Sequence, residues 1–191
     1  MAFVECNMSE IRENIVGIFC GNRNVGKTTF ILDVIKDHKK KVLVYDLDDN
    51  DKYAKYQLIS PDMLSRWKRG IKRIVTPDYE TVFDEIAENV HNTLLILEDA
   101  TKYIDSEPSK AVKRIILAAK ARNIDIIMTF HCFRAIPPKL IGWSDYIEIF
   151  KTGESIAQFK NKIPLFERVE KAHAEVEAHE SQYFHKTVML R

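Results

Sequence analysis

Two glycines separated by four residues, then a lysine and a threonine, constrain this chain more than any other feature: Gly21-Asn22-Arg23-Asn24-Val25-Gly26-Lys27-Thr28. An apolar run, Ile15-Val16-Gly17-Ile18-Phe19-Cys20, precedes the segment. A helical pattern follows from Thr28 to Asp37, with Phe30, Ile31, Val34 and Ile35 on one side. That order demands a buried strand, a tight turn and a helix. Glycine permits the turn and a close backbone approach. Successive backbone N–H groups and the helix N-terminus attract anionic oxygens. The lysine adds a point charge and the threonine hydroxyl a hard metal ligand. The segment predicts a nucleoside-triphosphate site, with Gly21 through Thr29 around ATP, Lys27 at the β- and γ-phosphates and Thr28 on magnesium. The motif itself does not choose the base.

The remaining pattern alternates short apolar runs with helical ones. Strands are expected at Lys41–Asp46, Arg73–Thr76, Thr93–Glu98, Ile124–Phe130 and Tyr146–Phe150, with a last edge strand at Thr187–Leu190. Helices are expected at Ser60–Arg69, Tyr79–Val90, Ser109–Arg122 and Phe166–Glu180, and Pro137-Pro138 reads as a break. Strands separated by helices imply right-handed crossovers and a parallel sheet. Continuous rather than alternating apolar runs imply strands covered on both faces. With 191 residues, 46% of them apolar, and no repeat or linker, residues 1–191 read as a single α/β domain with a mainly parallel central sheet flanked by helices.

Formal net charge is only +1. Nucleic-acid binding must therefore come from a local patch, not from the whole surface. The strongest run is Arg66-Trp67-Lys68-Arg69-Gly70-Ile71-Lys72-Arg73, where cations would meet phosphates and Trp67 would stack on a base. Lys110, Lys113, Arg114 and Lys120 add a weaker strip. Cys6, Cys20 and Cys132 are odd in number and unpaired in spacing, and read as free thiols. The start, Met1-Ala2-Phe3-Val4-Glu5, lacks the features of a secretory signal, and no apolar run approaches the roughly 20 residues of a membrane span. A cytoplasmic protein is expected.

Thr93-Leu94-Leu95-Ile96-Leu97-Glu98-Asp99 ends a strand in two carboxylates and resembles a Walker B motif. One carboxylate there would hold magnesium and its neighbour would act as general base. The commoner order is Asp then Glu, so position for position Glu98 takes the metal slot and Asp99 the base slot. Asp46 and Asp48 also lie at the end of an apolar strand, and the run from Val42 to Asp46 alone could pass for a Walker B. The longer apolar run and the strand that comes after it favour Glu98-Asp99, and the loop from Asp46 to Asp51 is expected to be solvated and near the site.

The phosphate loop, the acidic pair and a later apolar strand with a polar tip, Ile124 to His131, together resemble the additional-strand, catalytic-acid class of P-loop ATPases. Within it they look like the FtsK–HerA-type viral genome-packaging ATPases, over roughly residues 12–152. The resemblance implies that the Ile124 strand is inserted between the phosphate-loop and Walker B strands. It gives His131 or Thr129 a γ-phosphate sensor role, although that group usually has glutamine there. It also implies a ring homo-oligomer in which an arginine, Arg122 or else Arg134, reaches the neighbouring subunit's γ-phosphate. The implied function is ATP-driven DNA translocation or packaging in a viral or mobile-element system, in host cytoplasm or virion. Zonula occludens toxin-like phage assembly ATPases share nearly the same layout. A small-molecule or nucleotide kinase would need an arginine-rich lid, and a GTPase an N-K-x-D segment; neither is found, since Asn161-Lys162 continues Ile163-Pro164. The tail from Leu165 to Arg191 reads as a solvated or subunit-contacting element.

Overall fold

The computed structural model describes residues 14–191. Cys6 and the Met1–Glu5 segment lie outside the described residues. The strands are β1 (Val16–Cys20), β2 (Lys41–Tyr45), β3 (Gln57–Leu58), β4 (Ile71–Ile74), β5 (Thr93–Leu97), β6 (Ile124–Phe130), β7 (Tyr146–Ile149) and β8 (Lys186–Met189). The helices are α1 (Lys27–Asp37), α2 (Tyr79–Asn89), α3 (Lys110–Arg122), α4 (Pro138–Trp143) and α5 (Phe166–Ala178).

All eight strands share one sheet, in the order β3-β4-β2-β5-β6-β1-β7-β8. Only the β7–β8 pair is antiparallel. β6 lies between β5 and β1, as the resemblance implies: Val16 pairs with Ile126 on one side and Leu95 pairs with Ile126 on the other.

The direction of travel decides which face each helix covers. The chain steps one way from β1 to β2 and back the other way from β5 through β6 to β7. Right-handed crossovers then place α1 on one face and the later helices on the opposite face. The core divides accordingly. Ile31 and Ile35 of α1 pack with Phe19, Val42, Val44, Leu94 and Ile96. Phe83 and Ile86 of α2, Ile115 of α3, Leu140 of α4 and Val176 of α5 pack with Ile18, Leu43, Leu95, Leu97, Met128 and Ile147. Successive strand side chains point to opposite faces, so both faces buried means an uninterrupted apolar run.

Capping residues start the helices: Asp78 accepts from Thr81 N at 3.2 Å for α2, and Ser109 from Val112 N at 3.3 Å for α3. Several sequence expectations need correction. Pro138 opens a short helix rather than breaking the chain, since proline at the first helical position lacks only an N–H that would be unpaired anyway. The Ser60–Arg69 segment forms a 3₁₀ helix at Pro61–Arg66. The small strand lies at Ile71–Ile74, two residues early, and β3 was not foreseen. Helix α5 is not merely a solvated element, because Phe166, Val169, Ala172, His173 and Val176 are buried.

Candidate nucleotide site

The phosphate loop leaves β1 and is tied to the ends of its two neighbours. Gly21 N donates to Phe130 O at 3.1 Å, the last residue of β6, and Asn22 N to Lys151 O at 2.8 Å, just beyond β7. A side chain at Gly21 would sit 2.5 Å from Phe150 Cβ, and Gly26 has φ +97° at the N-cap of α1. Both positions therefore exclude ordinary residues. The Lys27 ammonium donates to the carbonyls of Gly21 and Asn22, the second at 2.7 Å, and burial lowers its pKa against the opposing pull of nearby Cys20, Glu98 and Asp99.

The Thr28 hydroxyl donates to Glu98 Oε1 at 3.0 Å. The Thr129 hydroxyl, at the end of β6, donates to Glu98 Oε2 at 3.2 Å and accepts from Asp99 N at 2.7 Å. α1, β5 and β6 thus meet at one carboxylate. Glu98 is 8% exposed, and burial raises its pKa despite both hydroxyl contacts.

Asp99 sits differently. Its backbone is left-handed, φ 45°. Thr101 Oγ1 donates to it at 2.5 Å, Lys102 Nζ lies 3.2 Å from Oδ2, and His131 Nε2 lies 3.0 Å from Oδ1. Burial pulls its pKa up, but the Thr101 contact, His131 and Lys102 outweigh that and the net shift is downward. The His131 contact is off-line for a hydrogen bond, so both ring nitrogens lack a hydrogen-bond partner although Nε2 is at ion-pair distance.

The Asp46–Asp51 loop is not simply solvated. Asp46 directly follows β2, is 1% exposed, and accepts from Asp48 N at 3.3 Å and Asn50 N at 2.6 Å. Burial raises its pKa. Tyr53, fully buried, turns an unpartnered hydroxyl into the same region beside Glu98 and Asp46. Asp46 was legible as a strand-end acid; Tyr53 had no signal in sequence. Across the loop, the Tyr183 ring lies over Gly26, and His185 packs 4.5 Å from Phe30 and 4.9 Å from Phe150.

Three sequence assignments land elsewhere. Arg122 ends α3 and so lies at the amino edge of the sheet, opposite the phosphate loop, donating to Glu88 O at 2.6 Å and contacting His91 Nε2 at 3.0 Å. Arg134 is exposed in the 3₁₀ turn that comes after β6, at the site's own edge. Trp67 is 6% exposed, donates from Nε1 to Arg69 O at 2.7 Å and carries Lys41 over its ring at 4.4 Å, so its faces are not offered to a base. Arg73 is buried too, bound to Tyr56 O and Asp49.

Residues 13–129 match the AAA domain family, more than half of the chain and a span that takes in the phosphate loop, Glu98, Asp99 and Thr129. The chain belongs to this AAA domain family. Its members' phosphate loop gives the site its reading as a nucleoside-triphosphate site. No curated protein matches the sequence. Among solved structures, the AAA domain here resembles the genome packaging NTPase B204 of Sulfolobus turreted icosahedral virus 2. With B204 in complex with sulfate it shares 15% identity at TM-score 0.74, over 94% of this chain and 93% of that one. With B204 in complex with ATP-gammaS it shares 14% identity at TM-score 0.73, over 94% of each chain. ATPases 2 and 3 of EssC from Geobacillus thermodenitrificans match at 14% identity and TM-score 0.51, over 78% of this chain and 34% of that one. At these identities the likeness shows the fold. Among the described residues no helix is long and apolar enough to cross a membrane.

Proposed function

We propose that this AAA domain is a magnesium-dependent ATPase that moves or packages DNA as a ring of identical subunits, in a viral or mobile-element system. The contact between the Thr28 hydroxyl and the Glu98 carboxylate, 3.0 Å apart beside the phosphate loop, carries the reading. The near-complete mutual coverage with B204, a packaging NTPase by description, supports the motor role.

The donor set fits magnesium: a hydroxyl and a carboxylate are hard oxygen ligands, and a buried carboxylate with a raised pKa gains from a cation beside it. Thr28 and Glu98 would hold the ion, which when bound supplies charge neutralisation on the phosphate oxygens. Lys27 contributes a second positive charge to the same oxygens. Tyr183, over Gly26, supplies an apolar face against which the adenine ring is held. Thr129 links Glu98 to the Asp99 amide, so it is better placed than His131 to register a change at the metal carboxylate.

The base role moves from Asp99 to Asp46. Asp99 is engaged by Thr101 and Lys102 and its pKa is lowered, which makes it a weak proton acceptor and a positioning residue. Asp46 is buried just past the adjacent strand β2, and burial raises its pKa. A general base contributes about 10²–10⁴ in rate. Arg134, at the nucleotide edge, replaces Arg122 as the arginine reaching a neighbour's γ-phosphate.

Steady-state ATPase activity with and without duplex DNA tests the reading, beside Lys27→Ala. Stimulation by DNA that Lys27→Ala abolishes is the expected result. Hydrolysis indifferent to every nucleic acid would sink the motor role and leave an ATPase of another kind.

A further inference from the structure

A groove of about 1020 Å³ lies away from the nucleotide site. It opens at the amino edge of the sheet, where α1 turns into β2 and where the chain enters β4. Lys36, Lys39, Lys40 and Lys41 line it from the first segment, Lys68 and Arg69 from the second, and Glu88 is the one carboxylate in the lining. In sequence the two cationic segments are nearly 30 residues apart, and only the pairing of β2 with β4 brings them to one edge.

Much of the local acid is already committed. Glu88 pairs with Arg114 at 2.7 Å, Asp33 with Lys36 at 2.6 Å and Asp125 with Lys40 at 2.8 Å. Lys39, Lys41, Lys68 and Arg69 have no carboxylate within ion-pair distance among the described residues. The remaining cations press on one another: burial first and then Lys68 lower the pKa of Lys41, and burial first and then Arg122, Lys41 and Lys68 lower that of His91. Because Arg122 can only donate, its 3.0 Å contact makes Nε2 of His91 the acceptor and leaves Nδ1–H as a further donor. Uncompensated charge of this density in a chain of net +1 is a local feature, not a consequence of composition.

The groove is also built. Trp67, buried beneath it, holds the Lys68-Arg69 turn through its bond to Arg69 O and carries Lys41 on its ring. Asn89, Asn92 and Asn123 supply neutral amides between the cations. None of the large exposed apolar side chains (Leu58, Met63, Leu117, Leu165, Tyr183, Met189) lines the groove, so it lacks the apolar anchors of a membrane-binding surface.

We propose that this groove holds the sugar–phosphate backbone of DNA, at the edge of the sheet away from the nucleotide. The inference rests on the DNA-motor reading above and adds where the polyanion lies. It keeps Lys68 and Arg69 of the sequence run Arg66–Arg73 as contact residues, while Trp67 and Arg73 drop into the interior and the Lys36–Lys41 segment joins the surface.

Fluorescence anisotropy of a labelled duplex, titrated with the full chain over a range of salt, tests it. The variant is Lys39→Glu with Arg69→Glu, two exposed cations without a partner, and the control is Lys160→Glu with Lys171→Glu, two exposed lysines elsewhere. The groove variant is expected to bind at least about tenfold more weakly and to flatten the salt slope by about two, one for each phosphate no longer neutralised. The control pair should bind as wild type, and both variants should keep the wild-type thermal midpoint and its shift with ATP. A groove variant that binds DNA as tightly as wild type overturns the inference while leaving the motor reading intact. Wild type that binds no DNA overturns both. Phosphatidylserine vesicles that bind the wild type more tightly than duplex, and release the groove variant, would reassign the groove to a lipid surface.

Discussion

At the residue scale the site turns on Glu98, a carboxylate shared by Thr28 and Thr129 and cut off from water. Its folded-state pKa lies above the ordinary value because of burial. A group that holds its proton more tightly when folded makes the unfolded chain the lesser proton binder, so stability falls as pH rises through this window. The penalty is absent below the ordinary glutamate range and complete above the raised folded value. Glu98→Gln keeps the size and removes the charge, and its single oxygen can accept from only one of the two threonine hydroxyls, the other hydroxyl having to turn and accept from the amide NH2. It is expected to raise the thermal midpoint at neutral pH, with the difference shrinking as the buffer is acidified, and to abolish any rise in midpoint on adding magnesium with ATP. A midpoint unchanged across pH would mean that Glu98 carries no desolvation penalty. The same scale separates the two candidate bases. Asp46→Asn is expected to lower kcat about 10²-fold or more with KM little altered. Asp99→Asn should cost much less, and the reverse ranking in steady-state kinetics would return the base role to Asp99.

At the element scale the turn from β1 into α1 does most to place the chemistry. Gly26 has φ +97°, and a Cβ there would meet Tyr183 Cδ1 at 3.3 Å. Gly26→Ala should lose about 1–2 kcal/mol in denaturant unfolding, since a left-handed backbone costs an L-residue that much, and should weaken nucleotide binding as well. This turn was readable because glycine spacing, a flanking apolar run and a helix pattern all agreed. β5 and β6 were readable for a related reason: strands buried on both faces leave an unbroken apolar stretch. Other features left no such trace. The α4 helix begins on a proline, and whether a proline breaks a chain or opens a helix is settled here by the burial of Leu140 and Ile141 one turn on. Trp67 sits within a run of cations, and nothing local says that its ring is buried. Tyr53 lies beside Glu98 from 45 positions away in the chain, a proximity that only the neighbouring of β2 and β5 creates. The edge on which Arg122 lies was legible: a helix that feeds a parallel strand ends at that strand's amino edge, and the phosphate loop lies at the other.

At the scale of the whole molecule, the sheet carries nucleotide chemistry along its carboxyl edge and unbalanced positive charge along its amino edge. In the ring proposed above, each Arg134 reaches a neighbour's phosphates. Mixing inactive Arg134→Ala with inactive Lys27→Ala should then restore part of the activity, because mixed rings contain some interfaces with an intact site and an intact arginine. The gain is about 10³–10⁵ per intact interface in the best-studied cases of such arginines. Mixtures as inactive as their parts would place Arg134 in its own subunit's site or outside catalysis. The sheet's outer borders bear on how copies meet. β3, which forms one border, is only Gln57–Leu58, and β8, at the other, opens with Lys186 and runs against its neighbour. So short a border gives a second polypeptide almost no hydrogen-bonding template. Copies crowded together are steered away from strand-by-strand accretion into fibres, so any meeting of copies falls to side-chain surfaces rather than to the sheet.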